Sequence, residues 1–423
     1  MTTTERPHAS PRSPRPRHPL RTIEAHEFDA WATMVTTTYG QDWRDGALRN
    51  AAHTFEPERT LAAYDGPDIV GGVSVYGRTL TVPGALVPVA GITLVAVLPT
   101  HRRRGILTSM MRRQLTDLHA SQGEPIAALN AAEATIYGRY GYGVASHLAA
   151  VDADKRAMRL RPDTDLGSGS VRLLAPAAAR PLFEKVYDQA RRQTVGWVDR
   201  TEKYWNARLR DDVELFRDGA TALRFAVHTE PDGAATGYAL YRSRGDTVRL
   251  TELAALTTTS YAALWNFVIN LDAHSRLTYD PAVDEPLGHL LVDPRPTQAT
   301  VVDNLWVRLV DVDRALNARR YATALDVVLD VEDDVCPWNA GRYRLSTDGV
   351  ESVTCERVRG VRPDLRLSVA ELGSVYLGGP TLASLAAAGR VEELRPGAVA
   401  AASVAFRGRR EPFHVSGAAF PAF

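Results

Sequence analysis

The sequence predicts a mixed α+β protein of two or three domains, and three observations carry that reading. The chain has 423 residues, more than one hydrophobic core ordinarily serves. Short apolar runs rich in β-branched residues alternate with stretches of helical periodicity from about residue 28 onward. A polar break at residues 159–170 (RLRPDTDLGSGS) separates two such blocks and has the composition of a linker. The expected division is a tail over 1–20 and blocks over 21–158, 159–304 and 305–423.

In the first block, residues 28–39 have helical spacing with Asp29 near the start, and residues 48–55 form a second amphipathic stretch. Residues 60–64 and 69–76 read as strands joined by the turn Asp65-Gly66-Pro67-Asp68. Residues 80–89 contain another turn, Pro83-Gly84. The run AGITLVAVL at 90–98 is almost wholly apolar and predicts a central strand buried on both faces. After a basic turn, residues 106–118 predict a helix with Leu107, Met110, Met111, Leu115 and Leu118 on one side. Residues 126–130 predict a strand and 134–140 a short helix. The second block pairs helices at 177–193, 201–209 and 260–271 with strands at 223–228, 237–242 and 247–254. It repeats the βα order of the first without a basic turn. The third block predicts strands at 325–331, 341–346 and 352–358 and helices at 312–319, 368–372, 381–388 and 398–406, an α+β pattern.

Composition narrows the function. Hydrophobic residues at 45% and charged residues at 24% suit a globular protein in water. A formal net charge of zero removes the long-range attraction that nucleic acid or an anionic membrane would exploit. No segment is apolar enough to span a bilayer. Two cysteines, Cys336 and Cys355, cannot frame a chain of this length with disulfides. The sequence holds no CxxC, no HExxH and no Cys/His cluster, so no metal site is expected. Residues 1–20 are rich in Pro, Arg, Ser and Thr, which predicts a disordered tail without a signal peptide and a cytoplasmic protein.

The chemistry concentrates at Thr100-His101-Arg102-Arg103-Arg104-Gly105-Ile106-Leu107, between the buried strand and the helix. A glycine there lets the backbone approach a ligand closely. The free N–H groups of the helix's first turn and three arginines suit the oxygens of a pyrophosphate. Arg102-x-x-Gly105-x-Leu107 after AGITLVAVLP resembles the acetyl-CoA pyrophosphate loop of the GNAT acetyltransferases. Leu107, where Gly or Ala is usual, is similar to one subgroup, the enhanced intracellular survival (Eis) family, whose members carry VAPTHRRRGLL. Ala134-Thr135-Ile136-Tyr137-Gly138-Arg139-Tyr140-Gly141-Tyr142-Gly143 resembles that family's GGIYGRFGYG. Cys336-Pro337-Trp338-Asn339-Ala340-Gly341-Arg342 and Tyr376-Leu377-Gly378-Gly379 extend the resemblance through the C-terminal third.

The resemblance implies two tandem GNAT-like domains, the first binding acetyl-CoA, followed by a sterol-carrier-protein-like domain, with six subunits assembled. It implies acetylation of amines on aminoglycosides. The cofactor site would comprise the strand backbone at Leu94, Val95, Ala96 and Val97, the turn Arg102, Arg103, Arg104, Gly105, Ile106 and Leu107, and Asn130. Tyr137 matches the family's general acid. Its reference pKa of about 10 against about 8.5 for a thiol makes it a reasonable donor to a forming thiolate. Tyr140 and Tyr142 read as packing residues. The family's base is a C-terminal phenylalanine carboxylate, and this chain ends in Phe423. The tail departs from the pattern, since Pro412-Phe413 is followed by HVSGAAFPAF. So does Ala132, where the family has Ser in HASEGGIY. Asp42 and Glu133 are candidate carboxylates for a cationic substrate. A slot lined by Val327, Leu329, Val331, Leu365 and Leu367 reads as core rather than lipid tunnel. The competing functions are acetylation of protein lysine or of a specialised-metabolite amine, and a non-catalytic acyl-CoA- or lipid-binding scaffold.

Overall fold

The structure, a computed structural model, describes residues 18–40, 54–209, 217 and 219–415. The amphipathic stretch expected at 48–55 falls mostly outside them, as does the tail through residue 17. His18 is buried and Leu20 opens a strand, so residues 18–20, expected in the tail, are part of the fold.

The first sheet is built by β1 (Leu20–Thr22), β2 (Thr60–Asp65), β3 (Asp68–Val82), β4 (Ala85–Val97), β5 (Ile126–Leu129) and β6 (Gly143–Val144). The β2–β3 hairpin closes at the Asp65/Asp68 pair around Gly66-Pro67, and β3–β4 at the Val82/Ala85 pair around Pro83-Gly84. Both turns lie where the sequence places them. Helix α1 (Phe28–Thr38), with Asp29 in its first turn, buries Trp31, Ala32, Met34 and Val35 against Ala62, Tyr64, Leu94 and Ala96. Helix α2 (Ile106–Ser121) buries Met110, Met111, Leu115 and Leu118 against Leu61, Ala63, Val73 and Ile92. Adjacent strand residues thus serve opposite helices, as a period of two requires. The expectation that 90–98 is buried on both faces holds through Ile92. Thr93, Val95 and Val97 are only partly buried, because the neighbouring strand has turned away by then.

The chain then leaves this sheet. β7 (His147–Asp154) joins β8 (Ser170–Leu174), β9 (Arg224–Thr229), β10 (Ala235–Arg244), β11 (Thr247–Ala255), β12 (Arg276–Tyr279) and β13 (Ala299–Asp303) in a second seven-stranded sheet of order β13-β7-β12-β11-β10-β9-β8. β14 (Trp306–Leu309) returns to the first sheet and inserts between β5 and β6, giving the order β1-β2-β3-β4-β5-β14-β6. Sheet membership therefore changes near residues 145 and 305. Residues 147–154 pair within the second sheet although the first block was expected to run to 158, and residues 306–309 belong to the first sheet although the third block was expected to begin at 305.

A third sheet, β17-β16-β15-β18-β19, comprises β15 (Leu325–Glu332), β16 (Gly341–Thr347), β17 (Val353–Val358), β18 (Leu365–Ser368) and β19 (Val391–Glu393). Val327, Leu329, Val331, Leu365 and Leu367 pack in one continuous core with Leu80, Val87, Val89, Val307 and Leu309 of the first sheet. The slot is filled. A buried ion pair fastens the same contact. Arg308 on β14 donates to Asp333 at 2.6 Å with both side chains shielded from water, and Asp333 also accepts from the Cys336 N–H and the Asn339 amide.

Removing one partner of a buried pair strands the other charge, at a typical cost of about 3–5 kcal/mol. Asp333→Ala is expected to lower the unfolding free energy in urea by that order. A change within about 0.5 kcal/mol would mean that the pair does not hold the third sheet to the first.

Candidate functional site

The site begins as a fault between two parallel strands. β4 pairs with β5 only where residues 89–91 meet residues 126–128. Beyond Gly91, β4 runs on to Val97 paired with β3, while β5 ends at Leu129. The β5-side edge of β4 is therefore without a strand partner over its last six residues, and its N–H and C=O groups there need other acceptors and donors. Inside this stretch Leu94 and Val95 together oppose Val73, a bulge that leaves Leu94 at φ 55°. A buried, branched residue with positive φ is uncommon, and bulges concentrate beside active sites.

The turn after β4 supplies the charge. Arg103 has φ 62° and Gly105 φ 81°, and α2 starts at Ile106. A Cβ on Gly105 would meet no heavy atom within 4 Å, so the backbone conformation rather than space demands glycine. Ile106 is buried and Leu107 half-buried, which leaves them their backbone N–H groups as the contribution to a site. Arg102, Arg103 and Arg104 are exposed; the Arg104 guanidinium donates to Thr100 O at 3.0 Å, and His101 is held between Thr100 Oγ1 at 2.9 Å and Asp65 at 3.1 Å. A long ligand with amides at one end and a diphosphate at the other fits this sequence of groups: an open strand edge, then a cationic turn at a helix N-terminus.

Tyr137 closes α3 (Ala134–Tyr137) beside the fork. Its ring is buried and lies edge-on to Tyr142 at 6.1 Å, and its hydroxyl hydrogen-bonds to no other described residue. Burial pushes that hydroxyl well above the usual tyrosine range, with Tyr39, Glu133 and Tyr140 adding to the shift. Tyr39 follows α1 and donates to Val95 O at the bulge, at 3.0 Å. Its own hydroxyl is raised by burial and by Glu133. Glu133 is exposed and makes no side-chain cap to α3. Tyr39, Glu133 and Tyr137 thus sense one another around the bulge. Tyr140 bonds Thr108 at 3.1 Å and Tyr142 is buried, both within the core beneath α2.

Asn130, one residue past β5, donates its side-chain amide to Asn304 O at 2.8 Å. Asp42 and Phe423 lie outside the described residues. The last described stretch of the C-terminus is tied down nearby: Phe413 N–H donates to Val195 O at 3.0 Å and His414 N–H to Asn304 Oδ1 at 3.0 Å. Sequence reasoning missed Tyr39 and Asn304. Neither carries a signal, since a tyrosine at a helix end and an asparagine in a loop are ordinary.

A cavity of about 1970 Å³ lies elsewhere, lined among others by Thr81, Arg242, Glu252, Tyr261, Glu285 and Phe413. Of the residues above it takes in Val195 and Phe413 but none of β4 beyond Gly91, the arginine turn, Tyr39, Asn130, Glu133 or Tyr137, and its mixed walls of arginine and carboxylate define no single chemistry. We place the site by its groups rather than by size. Among the described residues no three His, Cys, Asp or Glu side chains gather as metal ligands, and no described helix is long and apolar enough to cross a membrane.

Comparison with known proteins identifies the domains. Residues 19–145 and 196–309 each match an acetyltransferase (GNAT) domain family, and residues 312–415 match a sterol carrier protein domain. An uncharacterized N-acetyltransferase of Streptomyces avermitilis is 41% identical over 405 residues, covering 93% of this chain and 98% of that protein. The N-acetyltransferase Eis of Mycobacterium tuberculosis is 37% identical over 377 residues, 86% of this chain and 85% of its own length. The crystal structure of Eis1 from Mycobacterium abscessus superposes with a TM-score of 0.81 at 34% identity, over 94% of this chain and 99% of that one.

Gly105→Ala, which strains the turn by about 1–2 kcal/mol, is expected to weaken acetyl-CoA binding about tenfold by calorimetry with little change in melting temperature. An unchanged affinity would remove the turn from the binding site.

Proposed function

The chain belongs to the Eis-type N-acetyltransferases of the GNAT superfamily, which use acetyl-CoA as acetyl donor, and on that premise we propose that it acetylates amines of aminoglycoside-like polyamines by direct transfer, with Tyr137 as acid and the terminal carboxylate of Phe423 as base. The observation that carries the reading is the Tyr137 hydroxyl, hydrogen-bonded to no other described residue and neighboured by Tyr39, which itself bonds Val95 O on the unpaired stretch of β4.

In this reading Arg102, Arg103 and Arg104, with the N–H groups of Gly105, Ile106 and Leu107, hold the diphosphate. Backbone N–H groups between Leu94 and Val97 pair with the amides of the pantetheine arm and stabilise the carbonyl oxygen as it gains charge. A neutral amine attacks the thioester carbon; the C–N bond forms, the C–S bond breaks, and sulfur leaves as thiolate. Tyr137 meets that charge. Burial keeps the hydroxyl protonated at every physiological pH, yet also makes complete transfer to a thiol of pKa about 8.5 uphill. Its contribution is therefore a hydrogen bond that strengthens as negative charge grows on sulfur. The new ammonium loses its proton to the carboxylate. With a pKa near 3.3–3.7, that group acts through a water and by its charge more than by direct abstraction. Glu133 and Asp42 supply negative charge for a polycationic substrate, and Asn130 supplies a polar contact at the fork. The reading extends to a cytoplasmic homo-oligomer of six subunits.

Tyr137→Phe is expected to lower kcat for amine-dependent thiol release by about 10²-fold while acetyl-CoA affinity stays within about twofold. Because burial raises the hydroxyl, wild-type kcat is expected to show no alkaline loss where an ordinary tyrosine ionises. Thiol release with lysine peptides or small amines but no aminoglycoside would move the substrate to those classes. Binding of acetyl-CoA without release for any amine would favour a scaffold. Light scattering of the full chain reads the subunit number, and a mass near 46.2 kDa would remove the hexamer.

A further inference from the structure

The fault between parallel strands occurs twice in this chain. In the second sheet β11 pairs with β12 only at Thr247/Arg276, Val248/Leu277 and Arg249/Thr278, the same short overlap that β4 has with β5. From Leu250 to Ala255 β11 runs on paired with β10, while β12 ends at Tyr279. This stretch also carries a bulge, since Thr251 is passed over between the Tyr241/Leu250 and Leu240/Glu252 pairs. A side chain takes the carbonyl there: Arg208 donates to Thr251 O at 2.9 Å, as Tyr39 does to Val95 O in the first fork. Residues 250–255 line the cavity of about 1970 Å³.

The second fork is not built for a diphosphate. Its turn is Leu256-Thr257, without a basic residue, and the helix that follows, Thr258–Ile269, is capped by its own side chains. Thr257 Oγ1 accepts the Ser260 N–H at 3.0 Å, and Ser260 Oγ accepts the Thr257 N–H at 3.2 Å. One corner of the cavity is aromatic and acidic instead. Tyr261 and Trp265 from that helix and Tyr279 from β12 line it, with successive ring centroids 6.4 Å and 5.0 Å apart. The Tyr261 hydroxyl donates to Glu285, which forms no ion pair among the described residues. Arg410, whose charge reaches Glu285, is engaged by Asp284 at 3.0 Å. Burial lifts the Glu285 carboxyl above the usual carboxylate range, as expected of a negative charge short of a positive partner. Tyr279 is 5% exposed and lines the cavity, and its hydroxyl hydrogen-bonds to no other described residue.

We propose that this second fork is a binding site for a primary organic ammonium ion, held by the Glu285 carboxylate and the Tyr279 hydroxyl against the rings of Tyr261, Trp265 and Tyr279. An ammonium supplies what these groups lack. Its N–H donors meet a carboxylate without an ion-pair partner and a hydroxyl with an open acceptor site, and its charge is favoured beside aromatic faces. An apolar body on the amine continues the aromatic wall. An anion would face Glu285, with Arg410 already taken up by Asp284. The site shares no residue with the first fork, so it is tested apart from acetyl transfer there.

The probe is benzylamine, titrated into the full chain without acetyl-CoA so that no transfer occurs, and followed by ligand-observed NMR. It is expected to bind with a Kd on the order of 1 mM. Glu285→Gln keeps an oxygen for the Tyr261 hydroxyl and removes the charge. It is expected to weaken benzylamine about tenfold, and Tyr279→Phe about threefold, with acetyl-CoA affinity within about twofold in both. Tyr279→Phe serves alone should Glu285→Gln not fold. Phenylacetate, with the same ring and the opposite charge, is expected to bind about tenfold more weakly than benzylamine. Phenylacetate binding as tightly as benzylamine would overturn the proposal, and so would the absence of saturable benzylamine binding. Weakening by Glu133→Gln, but by neither Glu285→Gln nor Tyr279→Phe, would place the amine in the first fork and overturn it as well.

Discussion

Two parallel strands that pair for three residues and then part are the constraint from which the rest of the site follows. While β4 and β5 stay together they form an ordinary sheet interior between α2 and the third sheet's core. Once they separate, β4 must carry unpaired backbone groups into a gap, and only a ligand, water or a side chain can satisfy them. The candidate site is arranged around that gap. The bulge at Leu94 and Val95 interrupts the exposed edge, Tyr39 caps one of its carbonyls, the arginine turn marks its far end, and Tyr137 neighbours Tyr39. A strand pair that stayed in register to Val97 would leave none of these groups anything to act upon.

Much of this was legible in the sequence, for reasons that differ by element. The basic turn was legible because three consecutive arginines and a glycine interrupt an apolar strand and an amphipathic helix, a contrast that local composition exposes. Helix α2 was legible because its apolar spacing is strong, with Met110, Met111, Leu115 and Leu118 all buried. The bulge was not, since TLVAV has the same apolar character whether or not it kinks, and positive φ at Leu94 is imposed by neighbours rather than by its own chemistry. The placement of β14 between β5 and β6 was equally hidden. LWVRL reads as a strand, but which sheet receives it depends on partners far away along the chain. Asn304 and Tyr39 escaped because their roles exist only as contacts.

Charge is used in two ways in this molecule. At the turn, arginines are exposed and lightly held, available to a ligand. Deeper in the molecule they are buried and ion-paired. Arg308 meets Asp333 between the first and third sheets, and Arg200 and Arg208 converge on Glu252 beneath the second. Arg78 on β3 meets Asp199 and stacks on Tyr204, which joins the first sheet to the segment between β8 and β9 of the second. Such pairs add little net stability over an apolar contact, but they penalise any other docking that would leave a charge alone. They favour one relative placement of sheets whose apolar faces alone would accept several.

The insertion of β14 into the first sheet has a consequence for how the protein comes into being. As the chain emerges from the ribosome, β1 to β6 appear first, yet β5 and β6 have no direct hydrogen bonds to one another and wait for the strand between them. That strand is made only after the whole second sheet. The first sheet therefore cannot close as a unit in the order of synthesis, and a gene fragment ending before Trp306 encodes a sheet that lacks the strand between β5 and β6. A chimera that exchanged the first sheet alone would have to carry the second sheet's segment with it, because the strand that completes the first lies beyond it in the chain.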